Sequence, residues 1–520
     1  MFKTKKLNIF NIKLRKIYPI FFFIPLLTFF GKRSLIAFDE GYYALQAKWI
    51  IENNNWISPL WWGSPALDRT IGIQYLIALS QKLFGNYKFA IHLPITISGI
   101  IMLLLTYKLH KELLNNKFQI ISPIILSTTF LWINYVHLAT QDIIFATIIT
   151  FGILFTIYAK KFKKNIFFFF SGLWIGLAFM MKTFLVFVPL LAIFPFLYKY
   201  KIFRNYNFWL GLLIGFLPFI YWSLNIIFIY GQDVYLGLFR KLLFLTKNNN
   251  FTNPFYYYLW NLPLNLFPWS IFAIIGFFNS RKINNEISRY FLYIYPLIIL
   301  IIISTFSTKT PYYPLQTLSL LSINSFLGID ILIKSKKKFY SLIRLITLNF
   351  LPIIILIFVI YININNLDLS ITSLQKSLIS IGLIIFSLSW LYTNNMKSNL
   401  KKISIILIGP YLMTLLIVQS GLLSDRSRDL RIETEKIVKK ENLQNKKIQV
   451  LSNELGNQDS VSKIIKISLM MPKIGNGLKS KDNLEKNQYF WTTNPNIDTN
   501  KFTLISDKNI FKPWKLIKRN

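Results

Sequence analysis

Long apolar stretches dominate the chain, and short polar segments rich in lysine separate them. A helix that crosses a bilayer needs about 17–25 apolar residues when tilt is allowed, and thirteen stretches approach or meet that length. The predicted spans are residues 17–37, 89–107, 118–136, 140–159, 165–181, 183–198, 206–230, 264–279, 290–307, 311–333, 341–362, 371–393 and 403–423. The first stretch lacks the small-residue cleavage site of a signal peptide, so we predict that it remains as a span.

The basic residues of the membrane region lie almost entirely in alternate loops. Their clusters are found at residues 3–16, 108–117, 160–164, 199–204, 281–289, 334–344 and 397–402. The short loops on the other side contribute essentially Lys182 and Lys309. Because loops rich in lysine and arginine stay in the cytoplasm, we predict a multi-pass protein of the plasma (inner) membrane with a cytoplasmic N-terminus. The odd number of spans then places the C-terminal region outside the cytoplasm.

The segments outside the spans predict the rest of the architecture. Residues 42–51 have the pattern of an amphipathic helix at the outer membrane surface. Alternating residues at 447–451 and 501–506 predict strands in the tail. We therefore predict an α-helical polytopic membrane protein in two domains. Residues 1–423 form the transmembrane domain with outer-face amphipathic helices, and residues 424–520 form a small extracytoplasmic α/β domain.

The composition indicates that lipid is part of the solvent of this chain. Hydrophobic residues make up 53% and charged residues 15%, with a mean hydropathy of +0.44, whereas soluble proteins carry about 25% charged residues. These values exclude a soluble enzyme and a disordered or fibrous protein. The net charge of +38 does not indicate a nucleic-acid partner, because the basic residues form short runs between spans. The absence of cysteine excludes disulfides and thiolate sites, and we assign neither a metal nor a cofactor.

Acidic residues are scarce in the membrane region, which makes each of them informative. Only ten precede residue 424, and acids at the ends of spans are costly near lipid. Asp39 and Glu40 close the first span, and Asp142 opens the fourth. Either these residues cap the helices that follow, or the acids at one membrane depth converge on a single cleft.

Basic residues are also scarce in the short loops of the outer side. Asp68 and Arg69 form either a surface ion pair or part of a site, while Lys182 and Lys309 either extend to the membrane surface or bind a phosphate. The sequence has no Walker-type phosphate loop and no dinucleotide fingerprint. Soluble nucleotides are not expected on the outer face. A phosphate-bearing donor should therefore arrive within the membrane, as a lipid.

At these residues the sequence resembles the GT-C glycosyltransferases of the dolichyl-phosphate-mannose protein mannosyltransferase superfamily. It is most similar to bacterial enzymes like the aminoarabinose transferase that modifies lipid A. The resemblance covers about residues 15–330 and departs from the family pattern at Arg69-Thr70-Ile71, where the family has Lys-Pro-Pro, and at His92, where Arg usually precedes Leu-Pro. The matching elements are Phe38-Asp39-Glu40-Gly41-Tyr42-Tyr43, Asp68-Arg69, Phe84-Gly85 through Leu93-Pro94, Gln141-Asp142, Gly176-Leu177-Ala178 with Lys182, and Ser307-Thr308-Lys309 with Tyr312, Tyr313 and Pro314.

The resemblance implies an inverting transfer of one sugar from a polyprenyl-phosphate donor at the outer membrane face. Asp39 would be the base or the acceptor-orienting residue, and Asp142 would support it. Glu40 and Asp68 would contribute to substrate binding. Arg69 and Lys182 would hold the donor phosphate, with Lys309 and Tyr313 as second choices.

Two other functions remain open. A polyprenyl-linked saccharide flippase or exporter would also have many spans and charged outer residues, but it should lack the Asp39–Asp142 pair. A noncatalytic scaffold would have no reason to keep scarce acids and cations on one side. The acceptor is a membrane lipid such as lipopolysaccharide, another cell-envelope glycan, or a protein that undergoes glycosylation.

Overall fold

The structure is a computed structural model that describes residues 22–85, 88–245, 252–365, 371–456, 458–478, 484–494 and 498–520. The helices of the membrane region are α1 (Ile24–Leu27), α2 (Tyr42–Glu52), α3 (Gly72–Phe84), α4 (Lys88–Leu114), α5 (Ile121–Ser127), α6 (Phe130–Val136), α7 (Gln141–Phe162), α8 (Asn165–Lys182), α9 (Phe187–Lys199), α10 (Tyr206–Tyr230), α11 (Gln232–Leu245), α12 (Tyr257–Asn265), α13 (Ser270–Ser280), α14 (Glu286–Arg289), α15 (Tyr295–Thr305), α16 (Leu318–Lys334), α17 (Lys338–Leu345), α18 (Leu351–Ile364), α19 (Ser373–Tyr392) and α20 (Asn399–Gln419). A two-stranded hairpin, β1 (Leu60–Trp61) with β2 (Ser64–Pro65), lies between α2 and α3.

Within the described residues, nine helical segments are long and apolar enough to cross a membrane. A tenth is added if α12 and α13 form one span, although they are bent by 119°. The chain is thus a polytopic α-helical membrane protein, as predicted, but the count of thirteen spans is not confirmed. The N-terminal basic cluster and the start of the first predicted span lie outside the described residues.

Two of the predicted spans are not continuous helices in the structure. The described helix of the first span ends at Leu27, ten residues before its predicted end. The span predicted at 118–136 breaks between α5 and α6, where Thr128 and Thr129 donate their hydroxyls to the carbonyls of Ile124 and Ile125. Side-chain bonds of this kind compete with regular helix hydrogen bonding.

The two spans predicted at 165–181 and 183–198 form a helical hairpin, which the count of nine includes as one segment, Asn165–Lys199. Helix α8 ends at Lys182, and Thr183 takes the left-handed value φ = 40° before α9 begins. Lys163, before α8, and Lys199, at the end of α9, line the same cavity. The chain therefore returns to the face from which it started, which places Lys182 at the far end of the hairpin.

Helix α8 packs unusually closely against α10. Each helix carries two glycines four residues apart, Gly172 with Gly176 and Gly211 with Gly215. A Cβ atom at Gly172 would lie 2.0 Å from the carbonyl oxygen of Phe208. In a membrane, small residues at this spacing let two backbones approach, so the glycines fix the wall that carries Lys182.

The tail forms the α/β unit that the sequence predicts. Its elements are α21 (Arg428–Lys440), β3 (Lys447–Leu451), α22 (Gln458–Met470), β4 (Lys473–Leu478), β5 (Tyr489–Thr492), β6 (Phe502–Ser506) and β7 (Lys515–Arg519). The five strands have the order β4-β3-β5-β7-β6. Strand β3 is parallel to both of its neighbours, whereas β7 is antiparallel to β5 and β6. Strand β5 is fully buried at the centre of this sheet.

The tail packs directly on helix α2. Leu45, Trp49 and Trp62 belong to the same buried cluster as Ile437, Ile465 and other apolar residues of the tail. The Lys48 ammonium donates to the Met471 carbonyl, and the Glu52 carboxylate accepts from the Ile474 N–H at 3.1 Å. Helix α2 is therefore buried between α3 and the tail, whereas the sequence predicts a helix lying on the membrane surface.

A second contact joins the tail to the chain just before residue 39. The Ser34 N–H donates to the Ser424 carbonyl at 3.1 Å. The Ser427 N–H donates to the Ser34 hydroxyl at 2.8 Å, and the Ser427 hydroxyl donates to the Leu35 carbonyl at 3.1 Å. The end of the last membrane helix is thus fastened to the segment that leads into residues 37–41.

Candidate active site

Asp39 lies on a strained turn, residues Ala37–Gly41, which we call the Asp39 turn. Its backbone has φ = 57° and ψ = −85°, a conformation that residues with a side chain rarely adopt. Helix α2 begins just after this turn, and no side chain caps its first N–H groups. A capping role for Asp39 is therefore not observed, and backbone strain of this kind is concentrated at functional sites.

The surroundings of Asp39 shift the pKa of its carboxyl group upward from its ordinary value. Burial among protein groups raises the pKa of Asp39, and the negative charge of Asp142 raises it further. Arg69 and Lys182 act in the opposite direction. The residue nonetheless remains accessible to solvent. These four side chains, which are far apart in sequence, thus act on one another electrostatically.

Asp142 and Lys182 form a nearly buried ion pair. Asp142 lies in the first turn of α7 and Lys182 is the last residue of α8. The Lys182 ammonium donates to the Asp142 carboxylate, with both side chains less than 10% exposed. The same ammonium lies 4.4 Å from the centre of the Tyr312 ring, a cation–π contact. The sequence predicts both residues for the site, and the structure brings them together.

Arg69 is held from three sides. Its guanidinium donates to the Tyr43 hydroxyl at 2.7 Å and to the Asp68 carboxylate at 3.3 Å. The Tyr42 ring lies 4.9 Å from the guanidinium carbon. The Arg69 side chain is still 28% exposed, so part of it can reach a ligand. Asp68 contacts Arg69 and thus orients this cation.

Arg69 and Lys182 line one cavity with a volume of about 430 Å³. The other polar residues of its wall are Thr70, Gln141, Thr183, Thr308, Tyr312 and Tyr313. The remaining wall is apolar and is formed by residues of the α8–α9 turn, of α9 and of α15. Phe187 and Leu191 belong to this wall and are also 47% and 58% exposed on the outside of the helix bundle. The cavity therefore joins a cationic end to a membrane-facing side.

Glu40 lies away from the cavity, which differs from its predicted contact with substrate. It is fully buried, and its carboxylate bonds to the His92 ring nitrogen at 2.8 Å. It also accepts from the N–H groups of Ala139 at 2.8 Å and Ile36 at 3.0 Å. Glu40 thus connects the Asp39 turn to α4 and to the segment before α7.

Lys309 also lies outside the cavity wall. It is 4% exposed, and its ammonium donates to the carbonyl oxygens of Phe306 and of Asn253, the latter at 2.8 Å. These bonds hold the loop after α15 against the residues before α12. Of the two second-choice phosphate ligands, the structure places only Tyr313 at the cavity.

Sequence reasoning assigned no site role to several residues that complete this arrangement. Tyr42, Tyr43 and Tyr312 contact the two cations, and His92 holds Glu40. The tyrosines belong to the sequence motifs on which the family resemblance rests. Their closeness in sequence to Asp39 and Lys309 could have identified them as site residues. Among the described residues, no group of three or more His, Asp or Glu side chains has the arrangement of a metal site.

Comparisons with known proteins agree with this geometry. Residues 68–222 match the family described as dolichyl-phosphate-mannose-protein mannosyltransferase. Undecaprenyl phosphate-alpha-4-amino-4-deoxy-L-arabinose arabinosyl transferase 1 of Pseudomonas fluorescens is 24% identical over 314 residues, which cover 58% of this chain and 56% of the relative. The corresponding transferase of Wigglesworthia glossinidia brevipalpis is 24% identical over 339 residues, or 62% of this chain and 59% of the relative. The chain thus spans little more than half the length of these relatives.

The match to a solved structure extends over almost the whole chain. ArnT from Cupriavidus metallidurans bound to undecaprenyl phosphate has a TM-score of 0.76 and 12% sequence identity, covering 98% of both chains. The apo state of that protein has a TM-score of 0.67. The fold is that of a polytopic α-helical membrane protein similar to this solved structure. The predicted resemblance is confirmed, and the chain is similar to the ArnT and protein-mannosyltransferase type.

Proposed function

We propose that the chain is a membrane glycosyltransferase that moves one sugar from a polyprenyl-phosphate donor to a hydroxyl group of an acceptor. The observation that carries this proposal is the cavity of about 430 Å³ that joins Arg69 and Lys182 to a membrane-facing apolar wall, beside Asp39. Relatives named as undecaprenyl-phosphate sugar transferases and a similar fold bound to undecaprenyl phosphate support the same donor class.

The donor phosphate would bind between Arg69 and Lys182. Both cations line the cavity, and Arg69 is already oriented by Tyr43 and Asp68. The prenyl chain would leave the cavity past Phe187 and Leu191, which face outward. The Lys182 ammonium pairs with the Asp142 carboxylate. A bound phosphate would contact the same ammonium alongside Asp142. Fixed cations stabilise the phosphate as it becomes the leaving group.

Asp39 would act as the general base. The acceptor oxygen attacks the anomeric carbon, the bond from that carbon to the phosphate oxygen breaks, and the hydroxyl proton passes to Asp39. A carboxylate whose pKa is raised is a better proton acceptor near neutral pH, and the surroundings of Asp39 raise its pKa. Asp142 would support it by holding Lys182. Glu40 would act as a positioning residue through its bonds to Ile36, His92 and Ala139.

The cleft and the tail would face the outer side of the plasma (inner) membrane. The alternation of basic loops supports a cytoplasmic N-terminus, and the tail packs on α2 next to the Asp39 turn. The division at residue 423 would separate a transmembrane domain from an extracytoplasmic domain that contacts the acceptor. A lipid, a glycan or a protein on the outer side of the membrane could reach this domain as the acceptor.

The test compares a deletion strain with strains that carry the natural gene or the Asp39→Asn gene. We expect mass spectrometry of envelope lipids, glycans and proteins to show that one sugar modification disappears on deletion. The natural gene should restore it, and Asp39→Asn should not, because an amide cannot accept the proton. Loss of a general base costs about two to four orders of magnitude in rate.

The matched control is Asp233→Asn, which changes an exposed acid at the start of α11. It should restore the modification fully. A flippase or exporter does not need a base, so normal modification in a strain with folded Asp39→Asn protein would contradict the transferase and favour that alternative.

A further inference from the structure

A second large cavity lies at the opposite end of helix α8 from Lys182. Its volume is about 670 Å³, which falls within the range of about 300–1,000 Å³ typical of ligand pockets. Helix α8 has 18 residues, so at 1.5 Å per residue the two sites are about 27 Å apart along the helix. The cavity is formed where the α7–α8 and α9–α10 loops meet.

The charged groups that line this cavity are all cations: Lys160, Lys163, Lys199, Lys201 and Arg204. One nearby carboxylate, Glu286, forms an ion pair with Lys199. Among the described residues, no acidic group lies within ion-pair distance of Lys163, Lys201 or Arg204. The cavity therefore carries several positive charges that form no ion pair with the acidic residues in the described part of the chain.

The two loops hold these cations in a defined arrangement. Lys163 and Lys201 both adopt left-handed backbone conformations, with φ = 53° and φ = 54°. The Tyr200 hydroxyl donates to Glu286 at 2.8 Å, which fixes the ring between the two loops. The Lys160 ammonium, from the last turn of α7, lies 4.8 Å from the centre of that ring. The cavity is thus built by contacts between loops.

Exposed aromatic side chains lie close in sequence to the residues that line the cavity. Tyr198 and Tyr206 are 66% and 71% exposed, and Trp209 is 54% exposed with its indole N–H donated to the Phe203 carbonyl. Aromatic residues of this kind lie at the headgroup level of a bilayer. A ligand in the cavity therefore has a cationic environment for its head and an apolar surface for acyl chains.

We propose that this cavity binds the phosphate headgroup of an anionic phospholipid in the leaflet opposite the catalytic cleft. The positive-inside rule explains why cations occur in these loops, but it does not require them to line a common cavity. Basic pockets between membrane helices are a recurrent binding site for anionic lipid headgroups. The lipid would join the ends of the α8–α9 hairpin to α10, and so support the wall that carries Lys182.

The experiment measures lipid binding by native mass spectrometry on the purified full-length protein. The probes are phosphatidylglycerol and phosphatidylcholine with identical acyl chains, each with and without an excess of inorganic phosphate. The test variant is Lys163→Gln/Lys201→Gln/Arg204→Gln. The matched control is Lys336→Gln/Lys337→Gln/Lys338→Gln, which removes three exposed cations from a different loop.

We expect the natural protein to bind phosphatidylglycerol in preference to phosphatidylcholine. The test variant should bind it about a hundredfold more weakly, since each of the three cations near a lipid surface contributes about a fivefold effect. The control should keep the natural affinity. Thermal unfolding should be similar for both variants, and if the triple variant unfolds, Lys163→Gln and Lys201→Gln are measured singly.

Three results would overturn the proposal. Equal binding of the two lipids would show that the headgroup charge is not recognised. An equal loss in test and control variants would show a general effect of net charge. Complete displacement of the lipid by inorganic phosphate would show a site for the free anion.

Discussion

Arg69 is oriented before any ligand arrives, because Tyr43, Asp68 and the Tyr42 ring already contact its guanidinium. An arginine that is held in this way loses little conformational freedom when it binds a phosphate, so most of the interaction energy remains available for affinity. The part that stays exposed is the part that a donor can contact. Arg69 should therefore contribute more to donor affinity than a mobile surface cation.

Replacing Arg69 by Gln tests this expectation. Undecaprenyl phosphate should bind about ten- to a hundredfold more weakly, because a charge-assisted hydrogen bond contributes roughly 1.5–3 kcal/mol. Binding to purified protein is the measurement. The matched control is Lys82→Gln. Lys82 is an exposed cation on α3 that contacts the Trp56 ring and does not line the cavity. Unchanged affinity in folded Arg69→Gln protein would remove Arg69 from the donor site.

The Asp39–Asp142 interaction predicts a specific pH dependence. Transfer needs ionised Asp39, so the rate should fall as the pH decreases through the pKa of this carboxyl group. Asp142 raises that pKa, whereas Lys182 lowers it. Asp142→Asn removes the first effect and frees Lys182 to act more strongly, so the pKa of Asp39 should decrease and the acidic limb of the rate profile should move to lower pH.

The measurement is the rate of transfer against pH for the natural protein and Asp142→Asn. The position of the acidic limb is compared, because the maximal rate also reflects the loss of the Lys182 partner. Asp233→Asn should leave the profile in place. A limb that moves to higher pH in Asp142→Asn would mean that Asp39 is not the titrating base.

At the scale of elements, the Asp39 turn depends on a close contact with the tail. A Cβ atom on Gly41 would lie 2.4 Å from the Ile36 carbonyl oxygen and 2.9 Å from the Ile465 Cγ2 atom of α22. Glycine is needed here for space, because its φ of −64° is open to any residue. The turn and the tail are therefore packed as one unit.

Gly41→Ala should disturb this unit. We expect a loss of about 1–3 kcal/mol of stability, the usual cost of overpacking, together with a lower rate of transfer at saturating donor. Thermal unfolding and transfer assays check the two effects. Gly237→Ala is the control, since no atom lies within 4 Å of the added methyl group. Normal activity in the Gly41 variant would show that the turn tolerates displacement.

Much of the element order could be predicted from apolar periodicity, and the scarcity of outer charges pointed to Asp39, Asp142, Arg69 and Lys182. A charged residue near lipid is energetically costly, so the few charged residues on the outer side can be recognised from the sequence as candidates for a functional site. The placement of Glu40 and Lys309 could not be predicted, because it depends on His92, Ala139 and Asn253, which are distant in sequence. The burial of α2 was missed for the same reason, since its covering surface comes from the tail.

For the whole molecule, the position of the tail relative to the membrane is the most direct prediction. The basic loops predict a cytoplasmic N-terminus, and the odd number of spans predicted from the sequence would place the tail outside. A reporter that is active only outside the cytoplasm, fused after Asn520, should therefore be active. The control is the same reporter fused after Lys336, in a basic loop, which should be inactive. The reverse pattern would invert the topology, and activity of neither fusion would mean that the span count is even.

The contact between Ser34 and Ser427 has a consequence for biosynthesis. The two residues are separated by 393 positions in sequence, and a ribosome that adds about 5–20 residues per second needs about 20–80 s to make that length. During this time the first outer segment is already translated, but the surface that supports its turn does not yet exist. Each new molecule therefore passes through a period in which it is inserted in the lipid and has no assembled site. Under the proposed function, donor would be used only after the tail has been made and has packed beside the Asp39 turn.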